Sequence, residues 1–323
     1  MAVDIPAAHA QGKPAQGAGQ SPGPAIAHSI HRKNPLLQTE SWGYQLQALD
    51  EKGFAALFYD MLVMDYTKAG KPGTEFTPPE LAKIRNKPNG QKRLLLSYFS
   101  VGEAETYRYY WKPEWSSRKP SWMAYENKDW AGNYIIRFWD QQWRQIIYEG
   151  ADSYLRKIIA AGFDGVYLDR VDVYAELEKE NASARSDMIG FVRALSAKAK
   201  SIKPDFVVVV QNAEELSSSD EFLAAIDGIA KEDLLYGIDH KASRNRQSMI
   251  NEAVRHLKLA RDNGKAVFVV EYLSKPDQLM RELSRYDERF VPHFADRKLN
   301  VVRSERFEDM AHEDDEDGKK PVN

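Results

Sequence analysis

The stretch that decides the fold is Trp143–Asp172, WRQIIYEGADSYLRKIIAAGFDGVYLDRVD. Its first part reads as an amphipathic helix over residues 143–161, with Ile146, Ile147, Tyr154, Leu155, Ile158 and Ile159 on one stripe. Gly162 suits the left-handed turn that closes a helix. Three residues later Gly165–Asp169 is a short apolar run that ends on a carboxylate, as expected of a strand buried on both faces. Helix, turn, buried strand, acid: the same unit recurs along the chain.

Working outward, eight strand candidates alternate with helical stretches: 44–47, 61–65, 93–98, 134–139, 165–169, 206–211, 228–232 and 266–271. Residues 188–202 and 250–263 repeat the apolar stripe, the latter closed by Gly264. Eightfold strand–helix alternation predicts an α/β fold, a single (β/α)8 TIM barrel. A doubly wound sheet is the alternative, and it lacks a G-x-G-x-x-G or P-loop sequence after any strand. The barrel is expected over residues 34–307, about the size of one such domain. Residues 1–33, rich in Ala, Gly, Pro and Gln, are expected to be a disordered leader, read as what remains after a signal peptide with Met1 added. Residues 308–323, with Glu313–Asp317 wholly acidic, are expected to be a flexible tail.

Composition narrows the chemistry. Lys and Arg total 45 against 48 Asp and Glu, a net charge of −3 that argues against a nucleic-acid partner. With no cysteine there is no disulfide, thiol nucleophile or thiolate metal site. Seven histidines are scattered without metal-type spacing, so neither cofactor nor metal is expected. No apolar run reaches membrane-spanning length. A monomer is expected.

Barrel enzymes work at the C-terminal ends of their strands. Those ends carry Asp65, Tyr98 followed by Glu103, Trp139, Asp169 with Asp172, Asn212, Glu232 with Tyr236, and Glu271-Tyr272. Any one acid or amide there is explained as a helix cap. Their repetition around one rim points instead to a sugar polymer, with acids for chemistry, amides for hydroxyls and aromatic rings for pyranose faces. Aromatic residues also crowd the long segment after the third strand, at Tyr107, Tyr109, Tyr110, Trp111, Trp115, Trp122, Tyr125 and Trp130. Glycoside hydrolysis needs two carboxyl groups across the scissile bond. Asp169 and Glu232, at the fifth and seventh expected strands, are the candidate pair. Asp65, Tyr98, Glu103, Trp139, Asp172, Asn212, Tyr236, Glu271 and Tyr272 are candidate substrate contacts. Two other readings remain open: a non-catalytic glycan-binding barrel, and a metal-assisted lyase or aldolase with Asp65, Asp169 and Glu271 as ligands.

The motifs Tyr98-Phe-Ser-Val-Gly-Glu-Ala-Glu105, Gly162-Phe-Asp-Gly-Val-Tyr-Leu-Asp-Arg-Val-Asp172, Gln211-Asn-Ala-Glu-Glu215 and Asp227-Gly-Ile-Ala-Lys-Glu-Asp233 resemble the endo-α-1,4-polygalactosaminidase family of glycoside hydrolases, family 114. The likeness runs in order from about Trp42 to Leu299 and is closest to the bacterial and archaeal branch sometimes mislabelled as cysteinyl-tRNA synthetase-related. It implies a (β/α)8 barrel and endo-acting hydrolysis of α-1,4-linked galactosamine or N-acetylgalactosamine polymers. It further implies catalysis by Asp169 and Glu232, and export to the periplasm or beyond, with a cytoplasmic protein as the alternative. The chain departs from the best-studied branch at Arg170, where that branch has Asn, and at Lys231-Glu-Asp-Leu234, where it has Asn-Glu-Gln-Cys. Arg170 and Lys231 are therefore expected to favour an anionic or differently substituted sugar.

Overall fold

The structure, a computed structural model, describes residues 34–238, 243–272 and 276–302. The expected leader and tail lie outside the described residues. Among the described residues eleven strands follow in chain order: β1 (Trp42–Gln45), β2 (Met61–Met64), β3 (Leu94–Ser100), β4 (Glu103–Glu105), β5 (Met123–Glu126), β6 (Asn133–Ile136), β7 (Gly165–Asp169), β8 (Val207–Gln211), β9 (Gly228–Glu232), β10 (Ala266–Glu271) and β11 (Phe290–Phe294).

Eight of them pair in parallel in the order β1-β2-β3-β7-β8-β9-β10-β11, forming the nearly closed TIM barrel, with helices between the strands. Strand parity sorts the core. Trp42, Tyr44, Met61, Val63, Leu96, Tyr167, Val207, Val209, Ala230, Phe268 and Val270 fill the barrel interior, and the alternate residues pack outward against the helices. Aromatic rings floor this interior: Trp42 packs on Tyr167 at 6.0 Å and on Phe268 at 5.4 Å between centroids.

One expected strand leaves the barrel and an unexpected one takes its place. The run at 134–139 is not a barrel strand. Its β6 portion is the centre of a small antiparallel sheet, β4-β6-β5, inserted after β3. A buried apolar run has the same signature in either sheet. The eighth barrel strand is β11, whose sequence Phe-Val-Pro-His-Phe reads poorly as a strand because Pro292 lacks a ladder donor. β11 pairs with β10 alone. The seam to β1 is bridged by side chains instead: Trp42 Nε1 donates to the Val291 carbonyl at 3.0 Å, and Tyr44 N–H donates to His293 Nε2 at 3.3 Å. Burial holds the His293 imidazole down to about 4, so it stays neutral and can accept.

The helix expected over 143–161 is divided. A helical turn at Gln141–Arg144 passes into a π-helical segment Gln145–Glu149, and a separate helix runs Tyr154–Ala161. Gly150, in extended conformation, separates them, and a Cβ there would meet the Gln145 carbonyl at 2.5 Å. Gly162 closes the second helix at φ +108°, the left-handed turn its position predicts.

Candidate active site

Five side chains meet at the C-terminal mouth of the barrel, each two positions beyond an inward-facing core residue. Tyr98 follows Leu96, Asp169 follows Tyr167, Gln211 follows Val209, Glu232 follows Ala230 and Tyr272 follows Val270. Parity therefore turns all five inward. Asp169 and Glu232 end the fourth and sixth barrel strands, not the fifth and seventh, because β6 lies outside the barrel. Gln211 ends the strand between them.

Gln211 Nε2 donates to both acids, to Asp169 Oδ1 at 3.0 Å and to Glu232 Oε2 at 2.8 Å. The two oxygens are thus no further apart than those bonds laid end to end, about 5.8 Å. Asp169 Oδ1 also accepts from the Arg170 N–H at 2.8 Å, and its Oδ2 accepts from the Tyr98 hydroxyl at 2.6 Å. Glu232 Oε2 accepts from Asn212 Nδ2 at 3.2 Å, and its Oε1 accepts from the Tyr272 hydroxyl. A carboxylate has about four lone-pair sites. In each acid one oxygen is doubly occupied, while the oxygen held by a tyrosine, Asp169 Oδ2 or Glu232 Oε1, keeps one site free.

The two acids differ in environment. Burial, then the neighbouring charge of Asp169, pushes the Glu232 carboxyl up to about 7. Burial also raises Tyr98 and Tyr272 well above the usual phenol range, so both remain protonated donors. Each acid strand ends in a turn with positive φ: Arg170 at +60° and Asp233 at +49°, with Asn212 at +59° and Ala213 at +53° after β8. Left-handed backbone costs a residue with a Cβ about 1–2 kcal/mol, so the surrounding packing must hold these turns. Gly102 does so for the first turn, since a Cβ there would lie 2.1 Å from the Arg170 carbonyl oxygen.

The other expected contacts divide. Glu103 is buried on β4 beside the mouth, where it accepts from Asn127 and Asn133 and pairs with Arg170 Nε at 2.7 Å. Asp172 lies 3.7 Å from Arg170 Nη1, and burial lifts its carboxyl to about 6 against the pull of that guanidinium. Asp65 is inward by parity but is captured by Arg108 at 2.7 Å, and Arg108 also holds Glu105 at 2.5 Å. That buried triad ties the inserted sheet to the barrel. Glu271 points outward, as its neighbours Val267 and Val269 do, and accepts from the Leu235 N–H at 2.7 Å. Tyr236 turns to Glu282 in the helical layer at 3.3 Å. Trp139 packs on Phe138 beyond the inserted sheet. Asp65, Asp169 and Glu271 are therefore not gathered as ligands, and among the described residues no group of three or more Asp, Glu or His side chains is placed to hold a metal ion.

The cations expected to read an anionic sugar are engaged within the protein. Arg170 is tied to Glu103 and Glu176, and Lys231 pairs with Glu214 at 3.2 Å on the outer face of β9. Most of the aromatic segment is packing: Trp111 stacks on Tyr134, Trp115 meets Trp122, and Trp122 lies against Trp143. Tyr107, Tyr125 and Trp130 are the exposed exceptions, Trp130 at 63 %. Gln211 was not among the expected contacts, although its parity with Val207 and Val209 marks it as inward.

The family model for glycoside-hydrolase family GH114 matches residues 25–310. An uncharacterized protein of Methanocaldococcus jannaschii is 34 % identical, over 81 % of this chain and 78 % of its own. Another from Deinococcus radiodurans is 31 % identical, over 89 % and 92 %. Among solved structures, the glycoside hydrolase domain of PelA from Pseudomonas aeruginosa superposes with a TM-score of 0.62 at 14 % identity, covering 82 % of this chain and 97 % of that domain. That likeness concerns the barrel fold, whereas the family match spans nearly the whole chain: the protein belongs to glycoside-hydrolase family GH114.

Proposed function

We propose that the protein cleaves α-1,4-linked galactosamine or N-acetylgalactosamine polymers within the chain, with retention of anomeric configuration. In this reading Asp169 is the nucleophile and Glu232 the general acid and base. The observation that carries it is the Gln211 amide clamped between the two acids. It keeps Asp169 Oδ1 and Glu232 Oε2 within about 5.8 Å, which favours the roughly 5–5.5 Å carboxyl separation of retaining pairs over the 6.5–9.5 Å that an inverting water needs.

The roles follow from environment. Asp169 keeps a free lone-pair site on Oδ2, from which it attacks the anomeric carbon. Glu232, raised to about 7, keeps a proton at neutral pH for the departing glycosidic oxygen. As that bond breaks, Asp169 forms a glycosyl ester. Glu232, now a carboxylate, takes a proton from water, which attacks the same carbon and frees Asp169.

The amino-sugar polymer and its internal cleavage rest on the four motifs of the family pattern. An extracellular or periplasmic setting belongs to the same proposal, since such a polymer is met there. The test is product sizing on α-1,4-galactosaminan with wild type, Asp169→Asn and Glu232→Gln. The expected result is oligomer release by wild type and at least a thousandfold loss in each variant. Cleavage undiminished in both variants would remove the assignment. Saturable binding of the polymer by wild type without cleavage would leave a glycan-binding barrel instead.

A further inference from the structure

Between Asp169 and Glu232 stands a single nitrogen, Nε2 of Gln211, with one N–H for each acid. The barrel fixes its place. β8 pairs with β7 through Val210 and Leu168, and Gln211 itself pairs with Ala230 of β9. Asn212 then donates its N–H to the Ala230 carbonyl at 2.8 Å, and its Oδ1 accepts from the Glu232 N–H at 3.2 Å. Gln211 is only 2 % exposed, so bulk water does not compete for its amide. The acids also decide which way the amide faces. Turned over, it would set its carbonyl oxygen against Asp169 Oδ1 and Glu232 Oε2, although Oε1 has no partner of its own among the described residues.

Few side chains suit that position. A hydroxyl has one proton and could serve one acid only. A lysine or arginine would favour the ionised form of Glu232 and so remove the proton that the departing oxygen needs. A carboxamide carries two protons on one nitrogen and no net charge.

In the proposed cleavage the negative charge changes hands. It starts on the nucleophile Asp169. When an Asp169 oxygen bonds to the anomeric carbon and the glycosidic bond breaks, Asp169 becomes an uncharged ester. The Glu232 proton goes to the leaving oxygen, so the charge is then on Glu232. Water attacks, its proton passes to Glu232, and the charge returns to Asp169. A hydrogen bond to a charged acceptor is the stronger kind. The stronger of the two Gln211 bonds therefore passes from one acid to the other without movement of the strands that hold them. We propose that Gln211 is a positioning residue for this reaction, whose amide couples the two acids by giving its stronger bond to whichever carries the charge. The proposal rests on the roles given above to Asp169 and Glu232.

Carbon-13 NMR titration of the Glu232 carboxyl, its peak identified by its loss in Glu232→Gln, tests the coupling with no substrate present. Gln211→Met nearly keeps the side-chain volume and removes both donors. The Glu232 midpoint should then rise from about 7 by about one unit. Gln211→Lys places a cation between the acids, and the midpoint should fall by about 1–3 units. On α-1,4-galactosaminan the alkaline limb of kcat/KM should follow, up in Gln211→Met and down in Gln211→Lys, and kcat of Gln211→Met should drop about tenfold with KM close to wild type. A side chain that merely fills space would move neither limb. Midpoints that stay in place, midpoints that move the same way in both variants, or a Gln211→Met enzyme as fast as wild type would overturn the proposal. The two readings fail separately. Opposite shifts in a protein that cleaves no polymer sink the proposed function and leave the coupling standing, while cleavage with unmoved midpoints does the reverse.

Discussion

Removing the Tyr272 hydroxyl tests how the acid is tuned. The hydroxyl is one of three donors on Glu232, beside Gln211 Nε2 and Asn212 Nδ2, and it holds Oε1, the oxygen that keeps a free site. A hydrogen bond to a charged carboxylate contributes about 1.5–3 kcal/mol, while the neutral acid retains about 0.5–1.5 of that. The difference favours the anion by about 1–1.5 kcal/mol, or about one pKa unit at 1.36 kcal/mol per unit. Tyr272→Phe therefore raises the Glu232 carboxyl from about 7 towards about 8. Glu232 must be protonated to act, so the alkaline limb of kcat/KM, which reports the free enzyme, moves up by about one unit. The assay is a pH–rate profile on α-1,4-galactosaminan between pH 5 and 10. A limb that stays in place or moves down would refute the reasoning that the tyrosine stabilises the ionised acid.

Three further outcomes follow from the same contacts. Glu232 is raised from 4.5 to about 7, so it costs the folded state nothing below about pH 4.5, and the cost grows as pH climbs to about 7 and then levels off. Glu232→Gln should therefore be more stable than wild type above pH 7, by up to about 3 kcal/mol, with the gain vanishing near pH 4.5 in urea melts. Arg108→Met strands Asp65 and Glu105 in a buried site and should cost about 3–5 kcal/mol; adding Asp65→Asn and Glu105→Gln should recover part of it, measured by urea unfolding. Gly102→Ala forces the Arg170 turn away from a contact that would be 2.1 Å, so kcat should fall about a hundredfold as Asp169 shifts, while Gly190→Ala, with open space around it, should be neutral in the same assay.

The barrel was legible because most of its strands are continuous apolar runs, four of them leading into acids, and seven of the eight were readable. The eighth was hidden by Pro292, which is tolerated only because β11 forms no ladder with β1. The run at 134–139 took its place because burial looks alike in a parallel barrel strand and in the centre of a small antiparallel sheet. Within the site, the structure brings Tyr98, Asp169, Asn212, Glu232 and Tyr272 together. Parity was the unused signal. Glu271 and Tyr272 are adjacent, so they cannot both face the mouth, and Val270 shows which one does. The same rule picks out Gln211. Asp65 passes that test and is still withdrawn, because its partner Arg108 comes from the turn after β4 at a sequence distance no periodicity reports. Arg170 and Lys231 looked like specificity determinants in the chain and are ion-paired within the protein, which returns the choice of sugar to the uncharged groups of the mouth.

The carboxylate pair itself is tested most directly by the stereochemistry of the first product. Proton NMR of an α-1,4-galactosamine oligomer during its first minutes of cleavage resolves the new reducing end before it mutarotates. A pair bridged by one glutamine amide predicts the α-anomer first, the result of two displacements at one carbon. The β-anomer first would contradict it, because a single displacement by water needs more room than Gln211 leaves between Asp169 and Glu232.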